Sequence, residues 1–209
     1  MNPTPATRIG LYGGAFNPPH NGHRALARCA IEQLKLDGLY LVPTGQAWHK
    51  TTHLAPAHHR LAMTRLNFAD FPQAIVDARE IQREGPSYTI DTLTELIAEH
   101  PLAEFFLLLG ADQAAHFEQW KRWQEIAQLA QLAVAPRQAA GLAPFSSAEW
   151  HNRSAIRATL LDMPLASVSA TDIRLHIRQG ADLSTALQPA VAHYIQHHHL
   201  YLDNHDTSL

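Results

Sequence analysis

Apolar and polar stretches alternate along the chain in a way that predicts strands and helices in turn. Residues 8–13 form a short apolar run with Ile9, Leu11 and Tyr12 and read as a buried strand. From residue 21 to 36, Ala25, Leu26, Cys29, Ala30 and Leu34 keep the spacing of one helical face, and Asp37-Gly38 closes it. Residues 39–42 read as a second strand, ended by Pro43-Thr-Gly45. Residues 56–70 are predicted helical, with Leu61, Ala62, Arg65, Leu66 and Phe68 in the pattern and Pro56 suited to the first turn. A short third strand is expected at 74–78, then a polar loop at 80–87 containing Gly85-Pro86. Ile90, Leu93, Leu96 and Ile97 mark a helix over 89–100. Residues 104–109 are apolar enough for a strand covered on both faces. Two helical pieces at 113–117 and 123–129 lead to a fifth strand at 132–135 and a last one within 155–161. Helices at 168–179 and 189–198 follow, while 138–153 is irregular and reads as a surface loop or helical insert.

Strands alternating with helices imply βαβ units. The expected fold class is α/β: a Rossmann-like, mainly parallel sheet flanked by helices on both faces, with a small C-terminal helical portion. One domain is expected over 1–209, its ordered core spanning about 8–200. Ligands of such sheets bind beyond the carboxyl ends of the strands. The chain puts its informative residues there: Gly13-Gly14 after strand one, residues 43–50 after strand two, 80–88 after strand three, 110–112 after strand four and Arg137 after strand five.

Composition narrows the function. The 209 residues carry a formal charge of −3, which argues against a broad nucleic-acid footprint but leaves room for a local anion pocket. One cysteine, Cys29, can form no internal disulfide, and its position on the helical pattern reads as core packing. The N-terminus lacks the basic start and apolar core of a signal segment, and no run reaches the roughly 18 apolar residues of a membrane span. A cytoplasmic protein without membrane contact is expected. The 15 histidines are scattered. The three at 197–199 point in different directions on a helix, so no metal site is assigned.

The stretch that organises this pattern is Gly13-Gly-Ala-Phe-Asn-Pro-Pro-His-Asn-Gly-His23. A strand enters two glycines, and two imidazoles stand at the start of a helix. Glycines admit close backbone approach, helix N-termini favour anions, and His20 and His23 can donate to phosphate oxygens. Neither a P-loop lysine nor Gly-x-Gly-x-x-Gly is present. The stretch closely resembles the Gly-x-Phe-x-Pro-x-His-x-Gly-His signature of the nucleotidyltransferase superfamily. Four more segments make the chain similar to the bacterial nicotinate-nucleotide adenylyltransferases: Arg83-Glu-Gly-Pro-Ser-Tyr-Thr-Ile-Asp-Thr92, Leu109-Gly-Ala-Asp112, Trp120, and Ser169-Ala-Thr-Asp-Ile-Arg174. The resemblance covers roughly residues 8–200.

That resemblance implies transfer of an adenylyl group from ATP to nicotinate mononucleotide, giving nicotinate adenine dinucleotide and pyrophosphate. A phosphate nucleophile needs no side-chain base, so alignment and charge stabilisation carry the rate. By the same resemblance His20 and His23 act on the ATP phosphates, within an ATP site of Gly13, Gly14, Ala15, Phe16, His20, Gly22, His23, Ser169, Thr171 and Arg174. Ser169 and Asp172 read equally well as a helix cap. The pyridine mononucleotide site would use Trp120 for stacking, with Trp123 as its packing neighbour. Amides at Tyr88 and Thr89 suit the carboxylate, and Asp112 suits ribose hydroxyls or an N-cap. Lys50 and Arg137 are the candidate cations. Before Lys50 the family often carries Pro-Pro-His, where this chain has Ala47-Trp48-His49. Mg²⁺ is implied as ATP's companion, held by phosphates and water rather than by protein ligands. Nicotinamide mononucleotide or another phosphorylated acceptor, such as phosphopantetheine, and a catalytically silent nucleotide binder stay open as alternatives, and a homo-oligomer is compatible with the sequence.

Overall fold

The structure is a computed structural model that describes residues 6–45, 54–135, 156–163 and 169–202. Its strands are β1 (Arg8–Gly14), β2 (Gly38–Pro43), β3 (Ala74–Val76), β4 (Glu104–Gly110), β5 (Gln131–Ala135) and β6 (Ala158–Leu160). The helices among the described residues are α1 (Asn21–Leu34), α2 (Ala57–Asn67), α3 (Arg79–Gln82), α4 (Thr89–Glu99), α5 (Ala111–Ala115), α6 (Trp123–Leu129), α7 (Ala170–Arg178) and α8 (Pro189–His197), with a 3-10 turn at Phe117–Gln119. The strands form one six-stranded sheet in the order β3-β2-β1-β4-β5-β6. This is the parallel α/β arrangement that the alternating pattern predicts. The order reverses between β1 and β4, the switch point where such sheets take ligands. The stretch 80–87, expected as a loop, begins inside the short helix α3.

By contacts, the chain groups into two compact units. One comprises Met1–Gly13, Leu26–Tyr40 and Tyr88–Ala166, the other Gly14–Ala25, Leu41–Ser87 and Ser167–Leu209.

The first unit holds the sheet centre. Phe105 to Leu109 on β4 are all buried, as a strand covered on both faces requires. β4 pairs in parallel with β1 and β5. At its start Arg8 bonds Glu104 across the strands at 3.2 Å and stacks its guanidinium over Phe106. Ala27, Ala30 and Leu34 carry the core face of α1 here. Cys29 is half-buried at the margin of that face rather than in the core. Burial and the nearby carboxylates of Glu32 and Asp162 push its thiol pKa up, so it favours the inert protonated form.

In the second unit, α2 packs with α7 and α8 around Met63, Ile173, Leu187, Val191, Ile195 and Leu200. The buried face of α2 is not the predicted one. It is Arg60, Met63, Thr64 and Asn67, while Leu61, Ala62 and Leu66 are half-buried and Arg65 is exposed. The spacing is that of an ordinary core stripe. Three of the four positions are polar: the Arg60 side chain bonds the carbonyls of Ala15, Gly45 and Ala55, and the Thr64 hydroxyl bonds the Arg60 carbonyl within the helix.

Candidate active site

The loop after β1 is held in one shape by bonds to its carbonyls. Gly14 O accepts from the Thr44 amide at 2.9 Å, and Ala15 O from Arg60 Nη1 at 2.9 Å. Phe16 adopts φ 46°, a left-handed conformation uncommon for an aromatic residue. Burial holds it there: its ring packs on His23 at 5.1 Å and edge-on to Phe68 at 6.4 Å. Asn17 is a hub. Its Oδ1 accepts from the Ala55 amide (3.0 Å) and the Tyr201 hydroxyl (2.9 Å), and its carbonyl accepts from Arg174 Nη1 (2.9 Å).

The two imidazoles are oriented by backbone amides. His20 N–H donates to Nδ1 of His23 at 3.0 Å, and Gly22 N–H donates to Nδ1 of His20 at 3.1 Å. Their ring centroids are 3.7 Å apart. An Nδ1 that accepts a hydrogen bond carries no proton, so in each neutral ring the proton sits on Nε2. The pair therefore has matched tautomers, each with an Nε2–H donor. Helix α1 starts between them and is itself anchored. Asn21 N donates to Ala186 O, its side chain donates to Thr185 O, and Gln188 donates to Asn21 Oδ1, all within 2.9 Å. One turn on, Arg24 forks onto both oxygens of Asp70 at 2.7 Å, bonds the Asn67 carbonyl, and lies over the Phe71 ring.

The motif at 169–174 meets this loop through one residue. Arg174 reaches Asn17, and its Nη2 donates to Thr171 Oγ1 at 3.3 Å. Ser169 caps α7: its Oγ accepts from the Asp172 amide at 3.1 Å and donates to Asp172 Oδ2 at 2.6 Å. The cap reading of Ser169 and Asp172 is thus met, and Arg174 stands on the same helix just beyond the cap.

Arg60, Asn17, Arg24 and Tyr201 do not emerge from the sequence as site residues. Asn17 falls at a variable position of the motif. Arg60 sits at helical spacing from Met63 and Asn67, which is a signal of burial that its charge conceals. Burial lowers the pKa of Arg60 from its ordinary value, opposed by the Tyr201 phenol. Burial also raises the pKa of Tyr201, opposed by Arg174 and then Arg60, so it stays a neutral donor to Asn17.

Tyr88, Thr89, Asp112 and Trp120 belong to the first unit. Tyr88 forms the N-cap position of α4, with no side-chain cap bond, and Thr89 is its first residue. Lys121 Nζ lies 3.9 Å from the Tyr88 ring centroid. Asp112 stands in the first turn of α5, where its carbonyl contacts His116 Nδ1 at 2.8 Å. Trp120 and Trp123 are half-buried, and both pack on the buried Phe117 ring, at 5.6 and 6.1 Å. Phe117 is thus a shared support beneath both tryptophans. Gly13 is the last residue of this unit's first segment. Lys50, Trp48, Arg137 and the stretch 138–153 lie outside the described residues. Among the described residues, no group of three or more His, Cys, Asp or Glu is placed to hold a metal ion, and no helix is long and apolar enough to cross a membrane.

Residues 11–176 match the cytidylyltransferase-like family model. A protein of Albidiferax ferrireducens, named "probable nicotinate-nucleotide adenylyltransferase", is 51% identical over 93% of this chain and 98% of its own length. One of the same name from Methylibium petroleiphilum is 42% identical over 96% of this chain and 95% of its own. The chain belongs to the nicotinate-nucleotide adenylyltransferase family. As a member of this nucleotidyltransferase family it is a transferase. The fold agrees at much lower identity. Plasmodium falciparum nicotinic acid mononucleotide adenylyltransferase, solved in complex with NaAD, superposes with a TM-score of 0.77 at 19% identity, covering 93% of this chain and 97% of the other. The same enzyme complexed with APC gives 0.75 at 18% identity, with the same coverage.

Proposed function

We propose that this chain joins ATP and nicotinate mononucleotide into nicotinate adenine dinucleotide with release of pyrophosphate. The observation that carries the reading is the pair of imidazoles with matched tautomers at an anchored helix start. An oxygen of the mononucleotide's phosphate attacks the α-phosphorus of ATP. The bond from that phosphorus to the bridging oxygen breaks, and its electron pair leaves with pyrophosphate. The attacking oxygen is already anionic, so no proton has to be removed first. The protein's task is to align the attacking phosphate with the triphosphate and offset the charge that builds on the leaving oxygens.

His20 and His23 supply Nε2–H donors to that charge. Arg174, with its planar guanidinium, grips the β- and γ-phosphates, supported by Thr171 and the N-terminus of α7. Trp120 offers its face to the electron-poor pyridine ring, and amides at Tyr88 and Thr89 take the carboxylate. Asp112 accepts from ribose hydroxyls. Lys50 and Arg137 are cations of the nucleotide sites. Mg²⁺ enters with ATP as the substrate complex, carried by phosphate oxygens and water.

A pyrophosphate-release assay with ATP, Mg²⁺ and either nicotinate or nicotinamide mononucleotide tests this reading. Faster turnover with the acid is expected. Preference for the amide overturns the acceptor assignment, and silence with both overturns the activity.

A further inference from the structure

One charged side chain in the second unit is wholly enclosed, yet the reaction chemistry leaves it unused. Arg60, on the inward face of α2, is 2% exposed. Its Nε donates to Ala55 O at 2.9 Å, Nη1 to Ala15 O at 2.9 Å and Nη2 to Gly45 O at 3.4 Å. All three partners are neutral carbonyls, and among the described residues no carboxylate pairs with it. Burying a guanidinium without a counter-ion is costly. A neutral amide could not reach three carbonyls, but a pure brace could be had more cheaply with a carboxylate nearby.

The geometry suggests what the cost supports. A trans peptide sets its C=O and N–H in opposite directions. With the Ala15 carbonyl turned to Arg60, the amide of Phe16 points away from it. With the Gly14 carbonyl held by Thr44, the amide of Ala15 points away from Thr44. Gly45 leaves no slack for the loop after β2. A side chain there would come within 2.0 Å of the Glu80 carbonyl. The guanidinium therefore sits behind the loop at 14–17 and ties it to two further chain segments.

We propose that Arg60 is a positioning residue for the nucleotide's triphosphate, setting the amides of the loop at 14–17 toward the phosphates and adding, from behind, a positive charge that no carboxylate among the described residues neutralises. The proposal rests on reading 14–23 as the phosphate loop. A buried charge is screened by salt far less than a surface lysine, so it acts on the polyphosphate at distances where a rim cation would not. Three fixed bonds also leave the loop little to reorganise when the phosphates arrive.

The test compares wild type, Arg60→Lys and Arg60→Met by calorimetric titration with inorganic tripolyphosphate and with nicotinate mononucleotide, alongside steady-state kinetics. In the Met variant, tripolyphosphate affinity falls and KM for ATP rises by at least about tenfold, while binding of the mononucleotide stays within about twofold. The Lys variant, with charge but no fork, lies between. Equal weakening toward both ligands, or unchanged tripolyphosphate binding, overturns the proposal. If the Met variant does not fold, the Lys variant decides: a selective rise in KM for ATP supports the role and wild-type values overturn it. Wild type that turns over neither pyridine mononucleotide defeats the functional reading, while the tripolyphosphate arm still judges Arg60.

Discussion

The residues proposed to meet phosphate and those proposed to hold the acceptor are supported in different ways. In the unit carrying His20, His23 and Arg174, the residues proposed to meet phosphate are held by further bonds. Both imidazole Nδ1 atoms take amides, Arg174 rests on Asn17, and Asn17 is held from two sides. The other unit carries Tyr88, Asp112 and Trp120. Trp120 is supported there by ring packing on Phe117. Charge stabilisation depends steeply on donor position, so phosphate donors need a rigid frame. Stacking asks only for a flat, supported face, and a short helix on an aromatic pedestal provides one.

Substitutions in the two units should therefore fail in different ways. The largest effect is expected for His23→Ala. Turnover in the pyrophosphate-release assay falls by about a hundredfold or more, the scale of losing one transition-state donor, while thermal unfolding shows an intact fold. A near-wild-type rate would remove His23 from the reaction. Trp120→Ala comes next. KM for the pyridine mononucleotide rises about tenfold, in keeping with stacking of about 1–3 kcal/mol, and KM for ATP stays put. If KM for ATP rises equally, the division of labour between the two sets of residues is wrong.

The smallest effect is on stability and arises in the unit that carries His20, His23 and Arg174. His59 contacts the Tyr194 hydroxyl at 3.0 Å and lies beside His58 and His198. Burial first, then the charges of those two histidines, lower its pKa from the ordinary 6.5. Above 6.5 the ring is neutral in both folded and unfolded chains and costs nothing. As the pH falls through 6.5, the unfolded chain takes up a proton that the folded one resists. Stability drops until the lower folded pKa is passed, then levels off. Chemical denaturation across that range should show the decline, and His59→Gln should flatten it. An unchanged profile in the variant would assign the decline to other groups.

Much of this protein is legible from its residues in order. The period-two and period-3.6 patterns place strands and helices within a few residues, because each element buries one continuous apolar face. The expected strand at 104–109 is β4, and the expected helix at 123–129 is α6. The loop from Gly13 to His23 declares its chemistry because its glycines, imidazoles and helix start are contiguous in sequence. The face of α2 misleads for the opposite reason: Arg60, Thr64 and Asn67 look like solvent-facing residues until the segments they enclose are in place.

The sequence alone determined the class of fold and the type of reaction, since local patterns and one contiguous motif carry both. Tertiary structure decided how the motif is held. The tautomers of His20 and His23 follow from amides two or three residues away, once the turn has closed. Arg60 reaches back 45 residues to Ala15, and Arg174 meets the loop through Asn17, 157 residues distant. Such bonds join groups whose separation along the chain carries no information about their distance in space, and only the folded chain brings them within hydrogen-bond reach.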